Sequence, residues 1–302
     1  SAFLLPVFVS GFTILLICQA LAGFFAGLGY AVAIACLGDT RNPTRNYALA
    51  LTAQTAAVGI VSYLLPQLIV RGTTFHEALM AVSGLSFITL LLGTMMPRNG
   101  KRTSLKNAMT EQNPTAVFII LLILLLVFVG GNTVRNAIEP IASRLDFAAT
   151  EGGGVMMILI FASGLGSLIA ALMATRSSYT KPMVIALGIA VTVLVMGIFQ
   201  LWPEQISLIF AFCLVGGAWN FAAAYGMGLT AKLDSGSGKY TPLIATMQIL
   251  GNVAGIAAVG SLVVGGSYVL PYMLACIVWI LALVIVIPVV KRNQKLITAN
   301  ND

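Results

Sequence analysis

The sequence predicts an all-α polytopic membrane protein, on three observations. Of its 302 residues, 59% are hydrophobic and only 8% are charged, where water-soluble domains carry about 25% charged residues. With a mean hydropathy of +1.00, the chain has more apolar surface than one aqueous core can bury, so lipid must be its solvent. The apolar residues also fall into runs long enough to cross about 30 Å of hydrocarbon as helices. Finally, the basic residues sit in the short loops between those runs, so the net charge of +7 reflects membrane orientation and gives no reason to expect nucleic acid as a partner.

Residues 1–38 carry no charge until Asp39 is reached. As a single helix they would extend roughly 57 Å, about twice the hydrocarbon thickness. A break is therefore expected, and Ser10-Gly11 is the best place for it, leaving a stub at about 3–10 and a full span at about 13–37. Further spans are expected at about 46–70, 77–96, 115–142, 153–175, 182–202, 205–231, 241–264 and 270–290, making nine full spans and one stub. No basic stretch or cleavage site precedes the first apolar run, so no signal peptide is expected.

The loops set the orientation. If the Asp39–Arg45 loop is cytoplasmic and the spans alternate, the inside loops hold 13 of the 16 Lys and Arg residues. Arg71 and Arg144 fall outside and Arg135 lies within a span. The opposite orientation violates the positive-inside rule. The C-terminal tail, 291–302, is then cytoplasmic. The longest polar loop, 97–114, reads as the seam between a partial N-terminal bundle (1–96) and a C-terminal bundle of six spans (115–290). Six spans after the seam suggest six before it, which would place about two and a half helices upstream of Ser1.

Within this plan one pattern occurs twice: a tyrosine at a helix end, an aspartate nine residues on, a cation in the loop, and a glutamine nine residues further. The first copy is Tyr30, Asp39, Arg45 and Gln54; the second is Tyr225, Asp234, Lys239 and Gln248. The Asp-to-cation step is six residues in one and five in the other. A repeat of this kind points to two halves related by an axis along the membrane normal. Asp39 and Asp234 are expected to anchor helix ends and pair with Arg45 and Lys239, latching the cytoplasmic side.

Charge and amides at membrane depth are costly, so each such residue is a candidate for function. Asn132, Arg135, Asn136 and Glu139 stand at i, i+3, i+4 and i+7 and share one helix face. That face can line a cavity, with Arg135 attracting an anion and Glu139 titrating or gating. Equally, Arg135 and Glu139 can be an i,i+4 pair at the interface, snorkelling to headgroups. Trp219 and Asn220 lie near the middle of their span, as an aromatic wall and a hydrogen-bonding group, or as an interhelical contact. Gln54, Gln248, Asn252 and Tyr225 admit the same two readings. Gly23/Gly27 and Gly251/Gly255 have the GxxxG spacing that lets helices approach closely. Cys18, Cys36, Cys213 and Cys276 lie in apolar runs without CxxC spacing, so neither disulfide nor zinc site is expected. His76 reads as a solvated loop residue.

Three stretches carry a resemblance. LLICQALAGFFAGLGYAVAIACLGDTRNPTR (15–45), FVGGNTVRNAIEPIASRL (128–145) and WNFAAAYGMGLTAKLDSGSG (219–238) look like the fourth, seventh and tenth helices of the major facilitator superfamily. The last two resemble a bacterial subgroup with an acidic residue at the outer end of the seventh helix, where Glu139 stands. Gln19 occupies the place of an arginine found in many members, so a role built on that arginine does not transfer. The family's glycine- and arginine-rich loop between its second and third helices has no counterpart here, and the resemblance implies that Gly251/Gly255 would pack on the family's second helix and form an open groove where that helix is absent. The resemblance implies a two-bundle fold with an incomplete N-terminal bundle, helices 3 in part through 12, in a bacterial inner membrane. It implies alternating-access transport of a small solute, anionic or aromatic on the hints of Arg135 and Trp219, with protons as a candidate coupling ion and no cofactor.

The competing classes are a polytopic membrane enzyme and a channel or scaffold. The sequence has no HExxH, GxSxG or GxxxxGK[ST], and its only mid-span carboxylate, Glu139, has no partner for hydrolysis. It has no TVGYG filter or acidic ring.

Overall fold

A computed structural model describes residues 12–70, 77, 80, 84, 114–144, 149–174, 179–201, 204–234, 238–263 and 269–299. Among them there are eight helices and no strand: α1 (Phe12–Gly38), α2 (Pro43–Val70), α3 (Pro114–Arg144), α4 (Ala149–Met173), α5 (Thr180–Ile198), α6 (Glu204–Leu233), α7 (Leu243–Leu262) and α8 (Val269–Ala299). Six of these, all but α4 and α6, contain described stretches long and apolar enough to cross a membrane. The protein is a helical membrane protein. The stub, the seam and nearly all of the expected 77–96 span lie outside the described residues, so eight of the nine expected spans have a helical counterpart here.

The helix ends follow local chemistry. Asn42 accepts a hydrogen bond from the Arg45 backbone N–H at 3.3 Å, in front of Pro43 at the first helical position of α2. An N-cap side chain followed by proline satisfies one orphan donor and removes another. α8 continues through the polar segment 291–299, which was read as tail. Lys, Gln, Leu and Ala are good helix formers, and no glycine or proline interrupts them there. Expected and observed boundaries elsewhere agree within about four residues, the usual fraying at helix ends.

The helices are arranged around α3. Two thirds of its apolar stretch is buried (67%), against 11% for α1. Lipid supplies no hydrophobic force between apolar helices, so they associate through close packing at small residues. α3 shows how. At Gly130 an added Cβ would stand 2.7 Å from Cε2 of Trp279 on α8, and at Gly131 it would collide with the ring of Trp219 on α6. Two tryptophans thus lie on two consecutive glycines of one helix. Trp279 Nε1 donates to the Val127 carbonyl at 3.2 Å, satisfying its polar edge.

Gly251 and Gly255 of α7 press on α3. A Cβ at Gly251 would be 3.1 Å from the Val129 nitrogen, and one at Gly255 would be 2.7 Å from Asn132 Cβ. The expected open groove is therefore filled by α3. Gly23 of α1, by contrast, has nothing within 4 Å of an added Cβ, and Gly27 only Ile249 Cδ1 at 3.8 Å. The same GxxxG spacing makes a tight helix contact in α7 and none in α1.

α6 meets α4 backbone to backbone at Gly217 and Gly166, and meets α2 where Gly228 faces Thr44. α1 is the outlying helix, with most of its large apolar side chains, including Leu16, Phe24, Phe25 and Leu28, exposed to the lipid side. Gly251→Ala is expected to cost about 2 kcal/mol by overpacking. Gly23→Ala is expected to be neutral or to stabilise by up to about 1 kcal/mol through helix propensity. Thermal unfolding of both variants in one detergent checks this; equal effects would mean the α3–α7 contact is misplaced.

Candidate functional site

A cavity of about 440 Å³ lies between α1 and α2 on one side and α3, α4, α6 and α7 on the other. That is within the range of about 300–1,000 Å³ typical of small-molecule sites. Its walls are mainly apolar, with Leu51, Val58, Phe128, Ile160, Val215 and Ile249 among them. Set into them are Tyr30, Gln54, Thr55, Asn132, Arg135, Ser163, Trp219, Asn220, Gln248 and Asn252. Measured along the helices at about 1.5 Å per residue, the polar groups run from about 8 Å (Gln248 from the start of α7) to about 30 Å (Arg135 from the start of α3). These groups therefore stand well inside their helices and away from the ends.

Most of its polar groups are already paired. The Tyr30 hydroxyl donates to Oε1 of Gln248, joining α1 to α7. The Asn220 amide donates to Oγ of Ser163, and at 3.4 Å to its carbonyl, joining α6 to α4. Thr55 Oγ1 donates to carbonyls of its own helix at 2.9 Å. Asn132, buried, donates to the Phe128 carbonyl at 2.9 Å, four residues back on α3. Short polar side chains often satisfy themselves this way within a helix.

Arg135, half-buried in the wall, makes no hydrogen bond or ion pair among the described residues, and neither do the amides of Gln54 and Asn252. The indole Nε1 of Trp219 is buried with no acceptor. Such a donor costs about 1–3 kcal/mol unless something reaches it.

Of the nine residues expected to bind a solute, seven line this cavity: Gln54, Asn132, Arg135, Trp219, Asn220, Gln248 and Asn252. Asn136 lies outside it and donates to the Asn132 carbonyl at 2.7 Å. Tyr225 is also outside, buried in the packed end of α6, where it stacks on Phe221 at 4.9 Å and meets Tyr179 edge-on at 6.1 Å. The side chain of Glu139 falls outside the described residues. Ser163 and Thr55 are not among the expected site residues, and Tyr30, marked by the repeat, also lines the cavity. Ser163 had a signal in the small-residue run Ala162-Ser163-Gly164, where a polar group can sit close to a neighbouring helix.

The two copies of the repeat, each a helix–loop–helix, have diverged. Asp234 is buried, and its Oδ2 accepts from Tyr240 N at 2.7 Å, Thr241 N at 2.7 Å and Thr241 Oγ1 at 2.8 Å. It staples the end of α6 to the start of α7, a favourable place for a carboxylate. Gly238, at φ +60°, turns the loop back beneath it. Lys239 lies over the Tyr240 ring at 5.4 Å. In the first copy Asp39 and Arg45 are both exposed, and among the described residues no ion pair joins them.

These loops lie on one face of the molecule. An added Cβ at Gly38 would be 2.8 Å from Thr241 Cγ2, the Thr44 hydroxyl donates to Tyr179 Oη at 3.2 Å, and Lys232 lies over the Tyr179 ring at 5.0 Å. Among the described residues no cluster of three His, Cys, Asp or Glu could hold a metal ion, and all four cysteines are free.

Compared with known proteins, the chain matches no family model and no curated sequence. Asp234→Ala is expected to destabilise the protein by about 2–4 kcal/mol, since it strips a charged acceptor from three donors. Asp39→Ala should change stability by under about 0.5 kcal/mol. Thermal unfolding of the two variants decides whether the second copy alone carries the staple; losses of similar size would overturn that assignment.

Proposed function

We propose that the chain is a secondary active transporter, moving a small solute by alternating access between two helical bundles of the major facilitator type. The observation that carries this reading is the cavity: polar groups at membrane depth, walled by α1 and α2 from before the seam and by α3, α4, α6 and α7 from after it. A solute site at the midplane between two halves is what rocking-bundle transport requires. The duplicated Tyr–Asp–cation–Gln pattern and the clustering of the basic loops on one face support the same reading.

In this reading the loop face and the C-terminal tail are cytoplasmic, and the membrane is a bacterial inner membrane. The closed side is the loop face, where Gly228 meets Thr44 and Gly38 meets Thr241 and Tyr47. The Tyr30–Gln248 bond forms the floor of the cavity on that side. Below it lies a smaller apolar space of about 310 Å³ that shares Tyr30, Leu51 and Gln54 with the main cavity, so those three side chains separate the solute chamber from the space toward the loops. The candidate coupling ion is a proton, and its candidate carrier is Glu139, one turn beyond Arg135 on α3.

Accessibility tests the reading without knowledge of the solute. Gln54→Cys and Asn252→Cys, each in a background with the four native cysteines replaced by alanine, should react with a membrane-impermeant maleimide from either face of oriented vesicles, while the membrane stays ion-tight. Labelling confined to one face would remove alternating access, and labelling from both faces with steady ion conductance would establish a channel. For coupling, Glu139→Gln should abolish gradient-driven accumulation and spare exchange; unchanged accumulation under an imposed pH gradient takes Glu139 out of that role.

A further inference from the structure

We propose that the cavity selects a small organic anion, its charged end held by Arg135 and its flat apolar body laid against Trp219. The proposal rests on the reading of the cavity as a solute site and specifies what enters it.

The argument is one of charge and of unpaired groups. Among the described lining residues Arg135 is the only charged one. Among the described residues no carboxylate and no hydrogen-bond acceptor reaches its guanidinium. A half-buried cation in a low-dielectric wall is costly until a counter-charge arrives. A neutral solute would leave that charge uncompensated, and a cation would be repelled by it. A zwitterion would need a carboxylate on the wall for its ammonium group, and none of the described lining residues supplies one. A planar guanidinium matches a carboxylate or sulfonate with two parallel hydrogen bonds.

The rest of the wall fits the body of such a molecule. The Trp219 ring lies against Gly131, where only a residue without a Cβ admits it, and the same cavity wall carries the apolar Phe128, Val215 and Ile160. Tyr30 is tied to Gln248 and Asn220 to Ser163, so the neutral polar groups of the described lining with no partner at all are the amides of Gln54 and Asn252 and the Trp219 N–H. Those groups suit a solute with one charged end and at most a few further polar atoms. Glu139 stands four residues beyond Arg135 and is left unchanged in the test.

The test uses the full chain in nanodiscs of phosphatidylcholine, with benzoate, benzamide and benzylammonium as probes and thermal unfolding as the readout. Benzoate should raise Tm in proportion to the logarithm of its concentration above Kd, and benzamide and benzylammonium should not. Arg135→Gln should weaken benzoate binding roughly tenfold or more, the scale of a lost charge-assisted hydrogen bond. Arg135→Lys, which keeps the charge and loses the fork, should fall between them and shows that the site still folds. Equal responses to benzoate and benzamide, or unchanged benzoate affinity in Arg135→Gln, would overturn the proposal. Flux of labelled benzenesulfonate into proteoliposomes separates the two readings. Arg135-dependent binding without flux keeps the anion site and removes transport. Flux of a neutral or cationic solute that is indifferent to Arg135→Gln keeps transport and removes the anion site.

Discussion

The structure depends on one constraint: in lipid, apolar helices gain nothing from hiding oil from water, so they hold together only where backbones approach closely enough for dense contact. That approach needs glycine. α3 provides it at Gly130 and Gly131 for the two tryptophans, α7 at Gly251 and Gly255, and α6 at Gly217 and Gly228. Each is a place where a single methyl group would meet another helix. The cavity is the complement of this network. Where glycines press on no backbone, as Gly23 with no neighbour and Gly27 with only the tip of Ile249 on α1, the space they leave is not filled, and both residues line the chamber. Tight seams and an open chamber are thus built from the same residue type, and the facing helix decides which one forms.

The division between scaffold and site follows from the hydrogen bonds. At membrane depth an unpaired polar group has no water to turn to, so most amides here are closed off, either on their own helix or across to the next. Asn220 with Ser163 and Tyr30 with Gln248 act as interhelical ties as well as lining groups. Among the described lining residues, a cation, two amides and an indole N–H have no partner. Those unpaired groups define where a ligand would be recognised, and the paired ones hold the walls at fixed separation.

Much of this was legible in the sequence, and the part that was not has a physical cause. Helix positions could be read because charge and apolar run length are one-dimensional signals: Pro43, Pro114 and the basic loops mark ends that the structure keeps. Seven of the expected binding residues line one cavity because ionisable and amide groups within a span have few places to go. Tyr225 and Asn136 were singled out by the same rule and lie elsewhere. Spacing fixes which residues share a face of one helix, but not which helix that face meets. Tyr225 turns into an aromatic cluster with Phe221 and Tyr179, a pairing more than forty residues apart in the chain. Likewise, nothing in two GxxxG motifs distinguishes the one that packs from the one that lines a cavity. The repeat shows the same limit. It marked two aspartates as equivalent, yet only Asp234 is buried and stapled, because only that loop brings Tyr240 and Thr241 back over the carboxylate.

That divergence bears on how the molecule can move. The α6–α7 joint is locked by a buried carboxylate with three donors, so these two helices are tied at that end. The α1–α2 joint has an exposed aspartate, a capping contact at Asn42 and one hydrogen bond across it, from the Tyr47 hydroxyl to the Ile34 carbonyl at 2.8 Å, and α1 has little of its surface buried. α1 touches the other described helices through the Tyr30–Gln248 bond and the Gly27–Ile249 contact to α7, the Tyr47–Ile34 bond to α2 and the Gly38 corner. Of the walls of the cavity it is therefore the one whose displacement breaks the fewest contacts, and it carries the tyrosine that forms part of the cavity floor. If solute passes toward the loop face, the least costly path opens by moving α1 away from α7, breaking one hydrogen bond while the glycine-packed frame around α3 stays intact.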